Sequence, residues 1–220
     1  MKKILIIDNS ILIRSAIRNL FVNNQGLLIY EANSKEETEQ LINENNFFVV
    51  ISNLFLNDSP NSEILELLEK KSIPTIIFSS TLEKELLTKH SNIIDYVLKD
   101  FNGFRYIYKL VSAMKFCRNE NVLLVEDSNT VSNQIKQILE KILLKVTIVE
   151  DGIKALELLN QNNNFSLVIS DYEMPNLDGL ELTRKIRALN YYKNSPIIII
   201  TKTNENELKT KFYKYGANEA

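Results

Sequence analysis

The chain repeats itself at an interval of 118 residues, the separation of Ile4 and Val122. The stretch from Ile4 reads ILIIDNSILIRSAIRNLF, and the stretch from Val122 reads VLLVEDSNTVSNQIKQIL. They share the apolar pattern, a pair of acidic or amide residues, and the serine that follows. The same interval places VVISN, which ends at Asn53, on LVISD, which ends at Asp171. Agreement over such a span predicts two copies of one architecture.

A later pair of segments shows where the copies differ in length. IPTIIFSS, from Ile73, aligns with SPIIIITK, from Ser195, at an interval of 122 residues, so the second copy carries four extra residues near 188–194. The chain of 220 residues is long enough for two compact domains that each bury a core. We therefore predict a first domain at residues 1–118 and a second at residues 119–220.

Within each copy, short runs of Ile, Val and Leu alternate with stretches of helical periodicity. The apolar runs are typical of strands buried on both faces, and Ser10 and Ser128 stand where helix N-caps are expected. This spacing predicts βαβ units, and hence a doubly wound α/β domain with a helix-covered parallel sheet, formed twice. The predicted strands are Ile4–Ile7, Val49–Ile51, Thr75–Phe78, Val122–Val125, Leu167–Ile169 and Ile197–Ile200, and the first copy's last helix is predicted at 102–118.

Charge and composition argue against several classes of partner. The formal net charge is −2 and the charged residues are dispersed, so neither nucleic acid nor a membrane surface is an expected partner. No apolar run approaches the roughly 20 residues that a membrane-spanning helix needs, and the N-terminus lacks a signal-peptide cleavage site. The single cysteine, Cys117, rules out an internal disulfide and fits a reducing compartment. We expect a cytoplasmic protein.

Acidic residues follow the predicted strands of the second copy. Functional groups gather at the carboxyl ends of strands in an open α/β sheet; here Glu126 and Asp127 follow the first strand, Asp171 the third, and Thr201 the fourth. Three converging carboxylates would repel one another and raise the pKa of at least one, unless a divalent cation such as Mg²⁺ neutralised them. A carboxylate beside such a metal can attack a phosphoryl donor. Asp171 is the candidate nucleophile, and the Thr201 hydroxyl can bond the new phosphoryl oxygen.

The segments LLVEDS, VISDYEMPNLDG and PIIIIT together resemble the receiver domain of two-component response regulators, the CheY-like family. The resemblance implies a flavodoxin-like sheet with strand order 2-1-3-4-5. It implies that Asp171 is the phosphoacceptor, that Thr201 is the switch hydroxyl, and that the phosphodonor is a sensor histidine kinase or a phosphotransfer protein. By the same resemblance, Mg²⁺ is held by Glu126, Asp127, Asp171 and the main-chain carbonyl of Glu173.

The second copy departs from the family pattern in three places. The family's lysine after the fifth strand would fall beyond Ala220, so we expect a domain truncated before its fifth strand and last helix. Ala220 itself stands where the family carries an aromatic switch residue. Lys202 follows Thr201 where a small residue is usual, and we hypothesise that its long side chain hinders water and slows dephosphorylation.

The first copy lacks two of the three carboxylates. Asn53 corresponds to Asp171, and Asn9 corresponds to Asp127, whereas Asp8 remains acidic. The hydroxyl and lysine positions of the family are kept, at Ser79 and Lys99. We therefore predict a pseudo-receiver that does not bind metal, acts as an adaptor or dimerisation surface, and leaves its lysine to bond either the amide at 53 or the acid at 8.

Two receivers in tandem, the first degenerate, resemble the N-terminal half of PleD-type diguanylate cyclases. The resemblance implies a homodimer through the receiver domains and a C-terminal output, a GGDEF domain, beyond residue 220; no catalytic output residue lies in this stretch. One alternative is a stand-alone phosphate-accepting protein without an output domain. Another is a metal-dependent phosphohydrolase with Asp171 as nucleophile and Glu173 as general acid.

Some conspicuous side chains lie outside these motifs. The only histidine, His90, is interpreted as a solvated residue at a helix end. Tyr191 and Tyr192, in the inserted segment, are predicted to be surface or interface aromatics. A basic helix face is predicted to be solvated or to contact the other receiver, and it comprises Arg184, Lys185 and Arg187.

Overall fold

The computed structural model describes all residues except 82, 84, 86–88, 118, 163, 203–205 and 220. The chain divides into two compact units, Met1–Phe116 and Cys117–Ala220. None of the helices in the described part of the chain has the length and apolar character that crossing a membrane requires.

The first unit contains a five-stranded parallel sheet in the order β2-β1-β3-β4-β5. This is the predicted flavodoxin-like order, with helices in the connections. The strands are β1 (Lys2–Ile7), β2 (Leu27–Ala32), β3 (Val49–Ser52), β4 (Thr75–Ser79) and β5 (Ile93–Leu98). The helices assigned in the described residues are α1 (Ile11–Leu20), α2 (Lys35–Glu44), α3 (Glu63–Lys70) and α4 (Phe101–Cys117).

The second unit repeats this arrangement with four strands among the described residues, in the order β7-β6-β8-β9. The predicted fold class is confirmed in both units. The strands are β6 (Asn121–Val125), β7 (Lys145–Val149), β8 (Leu167–Asp171) and β9 (Ile197–Ile200). The helices are α5 (Asn129–Lys141), α6 (Gly152–Gln161), α7 (Gly179–Ala188) and α8 (Asn206–Lys214).

A short extended segment after α8 pairs with the outer side of β9, where a fifth strand would lie. Asn218 donates its main-chain N–H to Ile197, and the Glu219 carbonyl accepts from Ile199, so Ile198 and Glu219 form a parallel bridge. In the first unit, Ile76 pairs in the same way with Asp95 on β5. The residue after Glu219 therefore corresponds to Tyr96. That residue is Ala220, predicted to stand at the aromatic switch position, and it lies outside the described residues.

The side chains of β6 alternate between the two faces of their sheet. Leu123 and Val125 pack in one cluster with residues of α6 and α7, whereas Val122 and Leu124 pack in another with residues of α5. All four are fully buried, and burying one such side chain contributes about 1.5–3 kcal/mol. Helices therefore cover both faces, and the polar residues after each strand emerge at the carboxyl edge of the sheet.

Serine caps fix how the chain leaves β1 and β6. The Ser10 hydroxyl accepts the N–H of Ile13 at the start of α1, and the Ser128 hydroxyl accepts the N–H of Val131 at the start of α5. Both caps have extended backbone angles, as an N-cap residue requires. The predicted caps are confirmed, and each sets the path of the acidic or amide pair that precedes it.

Tyr192 anchors the insertion of the second copy, and its predicted surface position was wrong. The side chain is only 1% exposed, packs in the apolar cluster beside α6 and α7, and donates its hydroxyl to the Asn162 carbonyl. A tyrosine can bury its ring when its hydroxyl finds an acceptor. Tyr191 is exposed, as predicted.

Arg187 was predicted to lie on a solvated helix face, and this prediction was wrong, because its guanidinium group bonds main-chain carbonyls. It donates two hydrogen bonds to the Gly216 carbonyl, at 2.9 and 2.6 Å, and one to the Ser195 carbonyl at 2.8 Å. Burial lowers the pKa of Arg187. The planar fork suits such neighbouring acceptors, and it ties α7 to the segment after α8. Arg184 and Lys185 are exposed, as predicted.

His90 is buried, not solvated, and this prediction was wrong as well. Its side chain is 6% exposed, and its Nδ1 lies 2.7 Å from Oε2 of Glu69. Glu69 also accepts the N–H of Ser91 at 2.9 Å. The Ser91 N–H first, and then the His90 and Ser91 side chains, lower the pKa of Glu69 to about 2. These contacts give His90 a structural role at the end of α3.

Candidate functional site

Three carboxylates converge at the carboxyl edge of the second sheet. Glu126 and Asp127 follow β6 directly, and Asp171 ends β8, the neighbouring strand. One carboxylate oxygen from each residue lies within 4.8 Å of the other two. Glu126 is 5% exposed, Asp171 is half-buried and Asp127 is exposed. The sheet topology therefore brings together acids that are distant in sequence.

The electrostatic environment makes this cluster costly without a counter-charge. Burial raises the pKa of both Asp171 and Glu126, and the charge of Asp127 raises both further. Opposing this, the N–H groups of Tyr172 and Glu173 lower the pKa of Asp171. The Ser128 N–H, which lies 3.0 Å from the Glu126 carboxylate, lowers the pKa of Glu126 in the same way. Like charges held in a partly desolvated place favour either a proton or a cation.

The side chains that the described residues bring together here offer oxygen atoms to a cation. Carboxylates and main-chain carbonyls are the ligands that hard cations such as Mg²⁺ prefer. The donor set of Glu126, Asp127 and Asp171 fits Mg²⁺ in charge and chemistry. Glu173, whose main-chain carbonyl was predicted to join them, lies two residues beyond the end of β8 in an exposed loop.

The ends of β8 and β9 are held together beside this cluster. Asp171 is paired with Ile200 in the parallel register, and Tyr172 donates its N–H to the Ile200 carbonyl at 2.8 Å. Thr201, the next residue, is half-buried at the same edge of the sheet, and Lys202 beyond it is exposed. The positive charge of Lys202 lowers the pKa of both Glu126 and Asp171. Its field therefore reaches the site.

Gly179 shapes the loop that follows Asp171. A Cβ on this glycine would lie 2.4 Å from the Asp171 carbonyl oxygen, and the Gly179 N–H donates to the Tyr172 carbonyl at 3.0 Å. Asp178 caps α7 through the N–H of Glu181. The close approach of two backbone segments is the physical reason for the Asp-Gly step in the motif VISDYEMPNLDG.

In the first unit, the five residues predicted for the degenerate site lie at the carboxyl edge of its own sheet, where they bond protein groups. Lys99 Nζ lies 2.6 Å from Oδ2 of Asp8, so of the two partners left open the lysine bonds the acid. Asn53 donates its side-chain amide to the Phe55 carbonyl at 2.7 Å, and Asn9 donates to the same carbonyl at 3.2 Å. Ser79, the remaining counterpart, ends β4, is buried, and lies 3.4 Å from the Thr81 hydroxyl.

Two residues of the first site were not predicted from the sequence. Phe55 takes part through its main-chain carbonyl. Because every residue has such a carbonyl, the amino-acid type at position 55 gives no indication of this role. Tyr96 is buried and donates its hydroxyl to the Thr81 carbonyl, in the segment after β4. Tyr96 stands three residues before Lys99, at the position that corresponds to the family's aromatic switch residue. This correspondence could have identified Tyr96 from the sequence.

Comparisons with known proteins identify a domain family and several named relatives. Residues 122–220 match the sequence profile of the response regulator receiver domain. The two-component response regulator ORR5 of Oryza sativa subsp. japonica is 34% identical over 99 residues, which are 45% of this chain and 74% of that protein. Chemotaxis protein CheY1 of Helicobacter pylori strain J99 is 40% identical over 81 residues, which are 36% of this chain and 65% of that protein.

Similarity to solved structures extends over the whole chain. Two structures, both described as two-component system response regulator/GGDEF domain proteins, have a TM-score of 0.89 and 28% sequence identity, covering 100% of this chain and 90% of each of those chains. Taken with the acidic site at the edge of the second sheet, these matches show that the chain belongs to the two-component response regulators.

Proposed function

We propose that Asp171 accepts a phosphoryl group in a Mg²⁺-dependent reaction, and that this modification is the signal that the protein receives. The observation that carries the proposal is the convergence of one oxygen each from Glu126, Asp127 and Asp171 within 4.8 Å. The phosphodonor is a sensor histidine kinase or a phosphotransfer protein, in keeping with membership of the response regulators.

Each side chain has a distinct task in this proposal. A carboxylate oxygen of Asp171 attacks phosphorus, the bond to the donor's leaving group breaks, and the leaving group keeps the electron pair. The three carboxylates and the Glu173 carbonyl would hold Mg²⁺, which would neutralise charge on the phosphoryl oxygens. The Thr201 hydroxyl then donates to a phosphoryl oxygen and draws its loop toward Asp171.

Burial and hydrogen bonding favour Asp171 over its neighbours as the acceptor. The Glu126 carboxylate accepts the Ser128 N–H and is buried, so a phosphodonor has little access to it. Asp127 is exposed and lies two residues beyond the end of β6. Asp171 ends a central strand, is half-buried, and is oriented by main-chain N–H groups. A nucleophile needs such a fixed position together with access to the donor.

We extend the proposal to the output of the protein. Phosphorylation in the second domain, residues 119–220, controls dimerisation through the receiver domains, while the first domain, residues 1–118, serves as an adaptor. The controlled output is a diguanylate cyclase (GGDEF) domain encoded beyond residue 220, in a cytoplasmic protein. Support comes from the response regulator/GGDEF description of the two similar structures. The coding sequence downstream of residue 220 tests this: a stop codon soon after it would favour the stand-alone alternative.

The phosphoacceptor is tested by intact mass measurement after incubation with acetyl phosphate or phosphoramidate. The unaltered chain should gain the mass of one phosphoryl group with Mg²⁺ and none with excess EDTA, and Asp171→Asn should gain none. Asp151→Asn, which removes a carboxylate that caps α6, is the matched control and should be labelled normally. Label on the first unit, or on Asp171→Asn, would refute the assignment. Repeated turnover of a phosphomonoester would support the phosphohydrolase instead.

A further inference from the structure

The main-chain carbonyl of Phe55 in the first unit accepts hydrogen bonds from two side-chain amides. Asn53 donates at 2.7 Å and Asn9 donates at 3.2 Å. Phe55 lies two residues after Asn53, as Glu173 lies two residues after Asp171. In the second unit the corresponding residues, Asp127 and Asp171, offer carboxylate oxygens. In the first unit the same positions hold N–H donors that are paired with the Phe55 carbonyl.

The orientation of the Asn9 amide follows from both of its partners. Its Oδ1 accepts the main-chain N–H of Asn57 at 3.1 Å, and its Nδ2 donates to the Phe55 carbonyl. A main-chain N–H can only donate and a carbonyl can only accept, so the reverse orientation would place two donors together and two acceptors together. A cation at this place would face the positive ends of two N–H groups. The first site does not fit Mg²⁺.

The acid that remains in the first site is already neutralised. Asp8 is 3% exposed; its Oδ2 lies 2.6 Å from Lys99 Nζ, and its Oδ1 accepts the Ser10 N–H at 2.9 Å. Lys99 is also largely buried, with 12% of its side chain exposed. Both carboxylate oxygens thus have partners supplied by the protein, and a buried pair of this kind is costly to separate.

We infer that the first unit is a receiver fold set permanently in one state, in which the amides of Asn9 and Asn53 and the ammonium group of Lys99 take the place of a divalent cation. Internal hydrogen bonds hold the loops after β1, β3 and β5 without metal or phosphoryl group. Tyr96 belongs to the same arrangement, since its hydroxyl ties β5 to the segment after β4 at Thr81. The inference rests on the proposed function only where it uses the second site for comparison.

The consequence is a division between the units. The first unit presents one surface at every Mg²⁺ and phosphodonor concentration, so signal input reaches the chain through the second unit alone. Conversely, the first site still has Asp8, Ser79 and Lys99 in place, and it differs from a metal-binding site by two amides. Restoring the two carboxylates should therefore create a Mg²⁺ site in the first unit.

The decisive experiment silences the second site and restores the first. In the full chain carrying Asp127→Asn and Asp171→Asn, Mg²⁺ should give no saturable binding by titration calorimetry and no change in Tm. Adding Asn9→Asp and Asn53→Asp should create saturable Mg²⁺ binding and make the Tm rise with Mg²⁺. A matched pair, Asn23→Asp and Asn43→Asp, adds the same charge at exposed positions and should do neither.

A second measurement decides the case even if the restored variant does not fold. In the NMR spectrum of the chain with only its second site silenced, the side-chain NH₂ protons of Asn9 and Asn53 should not shift with Mg²⁺. A Mg²⁺-dependent shift of these protons would overturn the inference, as would a folded restored variant that ignores Mg²⁺. Because the second site is silenced throughout, these outcomes are independent of whether Asp171 is phosphorylated.

Discussion

The ammonium group of Lys99 lies 2.6 Å from the carboxylate of Asp8, and both side chains are largely withdrawn from water. Asp8 follows β1 and Lys99 follows β5, with β3 and β4 between those strands in the sheet. The long lysine side chain therefore bridges the carboxyl edge of the first sheet. Removing one partner of such a pair costs more than removing both, because a single buried charge is left without compensation.

We predict that Lys99→Met lowers the free energy of unfolding of the first unit by about 3–5 kcal/mol. The double variant Asp8→Asn with Lys99→Met should recover part of the loss, since it leaves no buried charge. Urea unfolding of the parent, both single variants and the double variant completes the cycle. Additive single losses would contradict a direct coupling of the two groups.

The raised pKa values of Asp171 and Glu126 predict how the second unit responds to pH without metal. Because the folded carboxyls bind protons more readily than the unfolded ones, stability falls as pH rises from the usual carboxyl range through the folded pKa. Asp171→Asn removes one repelling charge. It should raise the Tm of the metal-free second unit at neutral pH, and this gain should shrink as the solution becomes acidic.

Magnesium provides the control for that pH effect. Saturating Mg²⁺ stabilises the parent by binding its folded state, so the advantage of Asp171→Asn should disappear or reverse. The variant-minus-parent difference in Tm is the quantity to follow, because carboxyls elsewhere, such as Glu69 with a pKa of about 2, destabilise the chain on acidification. A gain that grows as pH falls would disprove the electrostatic explanation.

Gly179 is predicted to be intolerant of a side chain. The Cβ of Gly179→Ala would lie 2.4 Å from the Asp171 carbonyl oxygen, a backbone atom that cannot move without displacing the end of β8. We expect a loss of about 1–3 kcal/mol in the second unit and weaker Mg²⁺ binding, measured by thermal unfolding and titration calorimetry. Lys185→Ala, at an exposed position of the same helix, should change neither the stability nor the Mg²⁺ affinity. An unaltered Mg²⁺ affinity in Gly179→Ala would count against the close approach.

Several buried strands and the acidic cluster were accessible from the sequence because both depend on repeating local patterns, whereas the strand order came only from the resemblance to a known family. Buried runs of Ile, Val and Leu specify strands, and the repeat aligns Asp171 with Asn53 without any three-dimensional information. The partners of long or polar side chains were not accessible. Arg187 bonds carbonyls up to 29 residues away, and His90 bonds Glu69, 21 residues earlier. Such pairings depend on how loops pack, and no periodicity reports that.

The same reasoning explains the fate of the two asparagines. Sequence showed that Asn9 and Asn53 lack the charge of their counterparts, and this predicted the loss of a metal site. It could not show that both amides converge on the carbonyl of Phe55, because that acceptor belongs to the main chain. The difference matters for function: a site that has only lost ligands is empty, whereas this one is filled by its own hydrogen bonds.

Lys202 offers a test of how long the phosphoryl group persists on Asp171. Its charge lowers the pKa of Asp171 and Glu126, so its field extends over the place where the phosphoryl group would sit, and its length can hinder water. We predict that Lys202→Ala shortens the phosphoryl half-life roughly two- to fivefold, since an exposed charge interaction is worth up to about 1 kcal/mol. Lys202→Gln separates the causes: a half-life like that of the parent indicates hindrance by length, and one like that of Lys202→Ala indicates charge. The decay is followed by intact mass measurement after removal of the phosphodonor. Lys193→Ala, at an exposed position in the insertion, is the control and should leave the half-life unchanged. An unchanged half-life in Lys202→Ala would contradict both explanations.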